Sequence, residues 1–314
     1  MQSFYYMAPK KGAQERVIDF LLRRFPYNDE ATWAAAIERG AIMVDGKAVK
    51  PGFILKSRMQ VSYDRPQEDE PEVDREIGII WEDETLLVVD KNGNLPIAES
   101  GKFHRNTLLH ILKSEHGFEE LYPVHRLDRE TSGLLVLSKN LEVTQKMGEQ
   151  FLQGLPQKTY HAILQGEMTY NERMIEGAMG KVKPYPGCVR IRQVVREDGK
   201  TAKTWFRRLQ AAQGASLVEI KTFTGRTHQI RCHADYMGYP IIGDKLYGQP
   251  DERFVRFIKG DEAPLFPPFG EIPRQLLHAS GLSFMHPLSG EELCFESSCY
   301  PVFGKFGFKE LLEA

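Results

Sequence analysis

No apolar run in this 314-residue chain approaches the length of about eighteen residues that a membrane-spanning helix needs. The opening MQSFYYMAPKKGAQERV also lacks the charged-then-apolar order of a secretory leader, so a cytoplasmic location without a membrane partner is expected. Cysteine is scarce. Cys188, Cys232, Cys294 and Cys299 form no CxxC pair and no zinc-binding spacing, which excludes a disulfide framework and predicts reduced, mostly buried thiols. A GxSxG elbow, a Gly-rich phosphate loop ending in Lys, and HExxH are all missing, and with them go the hydrolase, nucleotidase and metalloprotease readings. Histidines such as His104, His110, His116, His228 and His233 fit helix faces and loops, so no metal is expected.

An excess of positive charge is missing too. The net charge of −2 looks wrong for a nucleic-acid binder, which replaces phosphate counterions with a basic face. The charge is unevenly spread, however. Residues 64–76, DRPQEDEPEVDRE, hold seven acids and two arginines, which leaves the rest of the chain mildly basic. With prolines at 66 and 71 and almost no apolar residue, this tract reads as an exposed linker. It sets the expected organisation: a module over 1–64, a linker over 65–76 and a larger domain over 77–314.

Upstream of the tract, AQERVIDFLLRRF places Val17, Ile18, Phe20, Leu21 and Leu22 at helical spacing, and EATWAAAIERG gives a second helix stopped at Gly40. AIMVDG and GKAVKP meet at Asp45-Gly46 as a hairpin, and MQVSY adds a third extended piece. IERGAIMVDGKAV resembles the signature of the small alpha-L RNA-binding module named after ribosomal protein S-four. That resemblance implies that Arg16, Arg23, Arg24 and Arg39 face structured RNA.

Downstream, strand-like pieces outnumber helices and are often sequence neighbours. The expected fold is therefore α+β, a mixed and largely antiparallel sheet with helices packed on it. IGIIWEDETLLVVDKN reads as two strands around an acidic turn, NTLLHILKSEHG as a helix capped by Asn106, and KNLEVTQKMGEQFLQG as a helix between Asn140 and Gly154. KTYHAILQG, CVRIRQVV, KTWFRRLQ and SLVEIKTF read as strands, and the C-terminal LLHASGLSFMHPLSGEELCFESSCYP as a hairpin around Ser289-Gly290.

Three stretches concentrate polar residues that a core would reject. HRLDRETSG sets His125, Arg126, Asp128, Arg129, Thr131 and Ser132 before a buried strand, and Gly133 allows a close backbone approach. KTYHA offers the flat ring of Tyr160. In GRTHQIRCHADYMG a helix starting at Thr227 puts Thr227 and Arg231 on one face. A carboxylate beside a guanidinium stays ionised and makes a poor general acid but a serviceable nucleophile, while an aromatic ring can hold a planar base by stacking. Tyr247 and the proline-rich PLFPPFGEIP offer either a lid or an insertion without function.

HRLDRETSGLLVLSK, KTYHAILQG, TGRTHQIRCHADYMGYPIIGDKLYG and LLHASGLSFMHP resemble, in order, the successive motifs of the RluA-type pseudouridine synthase family. The resemblance implies isomerisation of uridine to pseudouridine in RNA without cofactor or metal. It implies that Asp128 is the catalytic aspartate, attacking either the ribose anomeric carbon or carbon 6 of uracil, that Tyr160 stacks on the base, and that Arg231 pairs with the aspartate. Arg126 would fill the gap left by the flipped nucleotide. Beside the substrate His125 and Thr131 are expected, Thr131 also as part of a turn with Ser132 and Gly133 that aims Asp128, while Thr227, His228 and Gln229 line the cleft or fix its loop. VDKNGNLP departs from the family's VNKPxGL, at Asp90 and Asn92, in a segment that supports the catalytic loop. The expected partner is RNA, large-subunit ribosomal RNA ahead of transfer RNA, and the expected state is a monomer; the alternatives are a synthase of transfer RNA or a non-catalytic RNA-binding assembly factor on the same fold.

Overall fold

Val17, Ile18, Phe20 and Leu21 are buried along one side of a short amphipathic helix, and their burial organises the N-terminal part of the chain. The computed structural model describes residues 2–6, 14–25, 28–64, 70–183 and 188–313. The chain divides into two units, Met1–Glu72 with Ala98–Asn106 and Val73–Ile97 with Thr107–Ala314.

In chain order the first unit contains β1 (Gln2–Tyr5), β2 (Glu15–Arg16), α1 (Val17–Arg24), α2 (Glu30–Glu38), β3 (Ile42–Val44), β4 (Lys47–Ala48), β5 (Ile54–Leu55) and β6 (Gln60–Tyr63). An antiparallel sheet runs β1-β6-β3-β4. Asp29 caps α2 by accepting from the Thr32 amide at 2.9 Å. The β3–β4 turn holds Asp45 at φ 49° and Gly46 at φ 74°, the two left-handed residues that a tight hairpin of this twist requires. Trp33 lies fully buried against Tyr63 and Phe25.

The arginines of this unit are less free than their spacing suggests. Arg16 places both arms on Asp19 at 2.7 Å, and Arg23 places both on Glu15 at 2.8 Å, so two of the four expected RNA-facing cations carry their own counter-charge. Arg24 lies 5.3 Å from the Phe25 ring centroid, and Arg39 is exposed at the end of α2. The expected linker is also partly tied down. Residues 65–69 lie outside the described residues, but the Glu70 carboxylate accepts from the amides of His104, Arg105 and Asn106 at 3.0, 2.8 and 2.8 Å.

The second unit contains β7 (Ile77–Glu82), β8 (Leu86–Lys91), α3 (Leu108–Glu115), β9 (Tyr122–Pro123), β10 (Ser132–Ser138), α4 (Leu141–Gln153), β11 (Gln157–Gln165), β12 (Glu172–Glu176), β13 (Met179–Lys181) and β14 (Gln193–Val195). There follow β15 (Lys203–Ala212), β16 (Ala215–Thr222), α5 (Gln229–Tyr236), α6 (Asp251–Lys259), β17 (Leu277–Met285), β18 (Glu292–Glu296), α7 (Tyr300–Gly304) and α8 (Lys309–Glu313). A ten-stranded sheet runs β12-β15-β16-β11-β17-β10-β8-β7, with β18 on β17 and β9 on β10. Its pairs are antiparallel except β10–β17, which is parallel. This is the mixed, largely antiparallel α+β sheet that the strand pattern implies.

Strand β8 is nearly continuous in apolar residues because both of its faces are covered. Leu86 and Val88 pack with Val143 and Met147 of α4, while Leu87 and Val89 pack with Leu108, Ile111 and Leu112 of α3. α4 is bracketed as expected, by Asn140 accepting from the Val143 amide at 2.9 Å and by left-handed Gly154. α3 is capped by Thr107 rather than by Asn106, whose side chain bonds the Pro71 carbonyl instead. Of CVRIRQVV, only Gln193–Val195 is strand. PLFPPFGEIP is no lid: Phe266 and Ile272 are buried with Phe303 and Phe308 beneath α7 and α8.

Gly133 shows why the parallel pair can form. It sits at φ +107°, and a Cβ there would lie 2.2 Å from the Ala279 carbonyl oxygen on β17. Overpacking and backbone strain act together at this position, so Gly133→Ala should destabilise the protein by about 3 kcal/mol or more. Urea titration of the variant measures this, and a loss below about 1 kcal/mol would show that the strands can part at little cost.

Candidate active site

Asp128 lies in the loop between β9 and β10, Tyr160 on β11, and Arg231 on α5. All three line one cavity of about 550 Å³. The loop reaches this position because its outer side is anchored. The Thr131 amide donates to the Asp128 carbonyl at 3.1 Å, closing the turn. Gln275 donates to Thr131 Oγ1 at 2.7 Å, Arg274 to the Glu130 carbonyl at 2.8 Å, and Lys245 to the Glu130 carboxylate at 2.6 Å. Behind the turn, Ser132 Oγ meets His278 Nδ1 at 2.9 Å.

The atypical segment supports the same loop. The Leu95 amide donates to the Arg129 carbonyl at 3.0 Å, and the fully buried ammonium of Lys91 donates to the carbonyls of Asn92 and Arg129 at 2.8 and 3.2 Å. Asp90 accepts from Ser297, and burial raises its carboxyl pKa. The replaced residues thus leave the support of the Asp128 loop in place.

Arg231 is the hub of the cavity wall. Its Nε and Nη2 donate to the fully buried Asp244 at 2.6 and 2.9 Å, and its Nη1 donates to Asp128 Oδ2 at 2.8 Å. Asp244 also accepts from the amides of Leu246 and Tyr247 at 2.9 and 3.0 Å, so this second carboxylate is fixed from both sides. Burial pushes the Asp128 carboxyl pKa up, but the surrounding groups, Arg231 first with its charge and hydrogen bond and then His228 and Arg126, together outweigh it and the net shift is downward. Asp128 is therefore an anion at neutral pH. Its second oxygen, Oδ1, has no hydrogen-bond donor among the described residues, the His228 Nε2 atom standing 3.9 Å away.

The aromatic neighbours are neutral. Burial raises the Tyr160 phenol to about 12, against a hydrogen bond with Thr222, so it keeps its proton. Burial and the Arg231 charge lower His228 to about 4, and burial with the Lys158 charge lowers His125 to about 3. His228 starts α5 in the left-handed region at φ 56°, which places the helix start at Gln229 rather than at Thr227. Thr227 remains on the cavity wall, exposed and outside the helix.

Several expected substrate contacts turn inward. Gln229 spends its amide on Thr224, Arg226, Lys203 and Thr204, which shapes the loop over residues 222–228. Thr131 is 2% exposed and taken by Gln275, and His125 stacks on Phe151 at 4.6 Å while accepting from the Val136 amide. Arg126 alone among the loop's expected contacts is exposed, lines the cavity and has no ion pair or hydrogen bond among the described residues. Tyr247 is not a lid: it is buried, with Arg231 5.1 Å from its ring centroid. Asp244 went unremarked in the sequence although GDKLYG marks it. Among the described residues no group of three or more His, Cys, Asp or Glu is placed to hold a metal, and no helix is long and apolar enough to cross a membrane.

A family profile described as RNA pseudouridylate synthase matches residues 85–236. An uncharacterized RNA pseudouridine synthase of Synechocystis is 35% identical over 233 residues, 74% of this chain and 79% of its own length. The Pseudomonas aeruginosa protein named ribosomal large subunit pseudouridine synthase D is 33% identical over 90% of this chain and 88% of its own. The mitochondrial tRNA pseudouridine(32) synthase of Saccharomyces cerevisiae is 28% identical over 81% of this chain and 55% of its own. The solved structure of human RNA pseudouridylate synthase domain containing 1 matches with a TM-score of 0.57 at 26% identity, over 73% of this chain and 86% of that one. The chain belongs to the RluA-type RNA pseudouridine synthase family, and its reaction is the isomerisation of uridine to pseudouridine in RNA.

The buried imidazoles make acid stability a direct test of this arrangement. An unfolded histidine takes a proton near pH 6.5, whereas His125, His228 and His278 resist protonation until about 3, 4 and 4. Between these values the unfolded chain binds more protons, so stability is complete above about pH 6.5 and is lost as pH falls, by at most about 1.4 kcal/mol per pH unit for each ring. Urea midpoints should drop steadily from pH 7 to 5, and His278→Gln should flatten the profile; identical midpoints at both pH values would contradict the neutral-imidazole assignment.

Proposed function

We propose that Asp128 is the nucleophile of this isomerisation and that the substrate is a uridine in large-subunit ribosomal RNA. The observation that carries the first part is the division of labour within one carboxylate. Oδ2 is held by Arg231, which keeps the group ionised and aimed, while Oδ1 has no donor among the described residues and lies on the wall of a cavity large enough for a nucleotide. A bond from Oδ1 to the nucleotide lets the C1′–N1 bond break. The uracil then turns over the Tyr160 ring and C5 bonds C1′; the bond from Oδ1 breaks and returns its electron pair to the carboxylate, C5 gives up its proton and N1 gains one, so the product is an isomer of the substrate. A protonated Tyr160 suits a stacking surface, and its hydroxyl stays tied to Thr222. Arg126, exposed and uncommitted at the cavity, suits the place of an everted base, where it offsets part of the few kcal/mol of lost stacking.

The substrate reading is supported by the relative named for the large ribosomal subunit, which matches over nearly the whole of both chains, whereas the relative named for tRNA is spanned only in part. Residues 1–64 are assigned to the contact with structured RNA, with Arg24 and Arg39 as the two of its four expected arginines that make no ion pair among the described residues. An ion-paired active carboxylate opening on a cavity favours an enzyme over an assembly factor built on the same fold.

With bulk cellular RNA tritiated at uracil C5, the wild type should release tritium to water and Asp128→Asn should release none; equal release would refute the nucleophile. Pseudouridine mapping in a strain lacking the protein should show sites missing from large-subunit ribosomal RNA, and sites missing from tRNA alone would overturn the substrate. Arg126→Ala should reduce turnover on folded RNA about tenfold or more, and less on a short flexible strand, because only folded RNA closes a stack around the gap.

A further inference from the structure

Lys158 stands two residues before Tyr160 on β11 and lines the same cavity. It is half-buried, with its ammonium over the Phe151 ring at 5.9 Å from the centroid. No carboxylate pairs with it among the described residues. Burial holds its pKa below the ordinary lysine value, with no acid near enough to restore it. Such a group costs the folded protein stability, since a cation taken partly out of water without a partner is unfavourable.

The charge inventory of the cavity shows what would complete it. Arg126, Lys158, Arg226 and Arg231 line the wall, with Asp128 as the one acid among them. Arg231 is committed to two carboxylates, and Arg226 donates to the Thr201 carbonyl at 2.9 Å. The two histidines are neutral. What remains uncommitted is positive, at Arg126 on the Asp128 loop and at Lys158 on the sheet. Uracil is neutral and brings no charge to either, but a nucleotide within a strand brings a phosphodiester on each side of its ribose.

We propose that Lys158 is a phosphodiester subsite, which binds one of the two phosphates flanking the everted uridine and fixes the ribose between the Tyr160 ring and Asp128 Oδ1. The proposal rests on the reading of Asp128 as acting on an everted nucleotide. Lys158 is thus a positioning residue, supplying affinity and registration rather than a reacting atom. A lysine serves because a flexible ammonium can follow a phosphate that moves as the base turns.

The test uses the full chain and two labelled oligouridylates of equal length, one with ordinary phosphodiester linkages and one with uncharged methylphosphonate linkages. Lys158→Met keeps an unbranched apolar stem, removes an unpaired cation and should fold; Lys158→Arg, which keeps the charge, is the companion. On the phosphodiester strand Lys158→Met should bind about 5–10-fold more weakly than wild type, and its log–log salt dependence should be shallower by about 0.7, the loss of one single-strand phosphate contact. On the methylphosphonate strand the two proteins should bind alike, and Lys158→Arg should follow wild type on both. An equal deficit of Lys158→Met on both strands, or an unchanged salt slope, would overturn the subsite. Tritium release by the wild type, measured alongside, separates the failures: release with an unchanged slope removes the subsite and leaves Asp128 standing, whereas no release removes the Asp128 reading on which the subsite rests.

Discussion

One guanidinium held between two carboxylates governs the cavity. Arg231 is 9% exposed, and a cation in such a place needs more than one counter-charge contact to offset its lost hydration. Asp244 provides two of those contacts from complete burial and is itself fixed by two backbone amides. This inner pair lets Arg231 reach outward with its remaining nitrogen and hold only one oxygen of Asp128. The second oxygen of Asp128 has no hydrogen-bond donor among the described residues.

The second constraint is the loop on which Asp128 sits. Its backbone is pinned by contacts from Arg274, Gln275 and Lys245 on one side and from Lys91 and Leu95 on the other. Those contacts fall on carbonyls, on Thr131 and on Glu130, and so leave the side chains of Arg126 and Asp128 facing the cavity. Lys91 is a costly part of this frame, because burial brings its ammonium to about 7. Its two carbonyl partners account for its orientation and explain why a lysine persists there although its flanking residues differ from the family's pattern.

Much of the site was legible from residue order. HRLDRETSG set an acid between cations just before a buried strand, and Gly133 marked a close approach that proves to be the parallel β10–β17 contact. The caps at Asn140 and Gly154 were legible because each depends on local backbone geometry. Less legible were groups whose role depends on distant partners. Thr131 and Gln229 could be either cleft residues or loop supports in the sequence, and only their partners decide, Gln275 claiming the first and four neighbours the second. Arg16 and Arg23 look free until Asp19 and Glu15 are seen beside them, although the i, i+3 spacing of Arg16 and Asp19 was visible. The left-handed start of α5 at His228 carries only a weak signal, since histidine enters that region more often than most residues but far less readily than glycine. Strand β12, ERMIE, is too polar to reveal itself without its pairing to β15.

The contacts behind the Asp128 loop come from a stretch nearly 150 positions later in the chain, residues 274–278. During synthesis the acid-bearing loop leaves the ribosome long before the residues that steady it. A nascent polypeptide can thus carry Asp128, Tyr160 and Arg231 and still lack the contacts that fix the Asp128 loop. Half-made or prematurely terminated products never gain those contacts, and the carboxylate proposed as the nucleophile stays unsteadied in them.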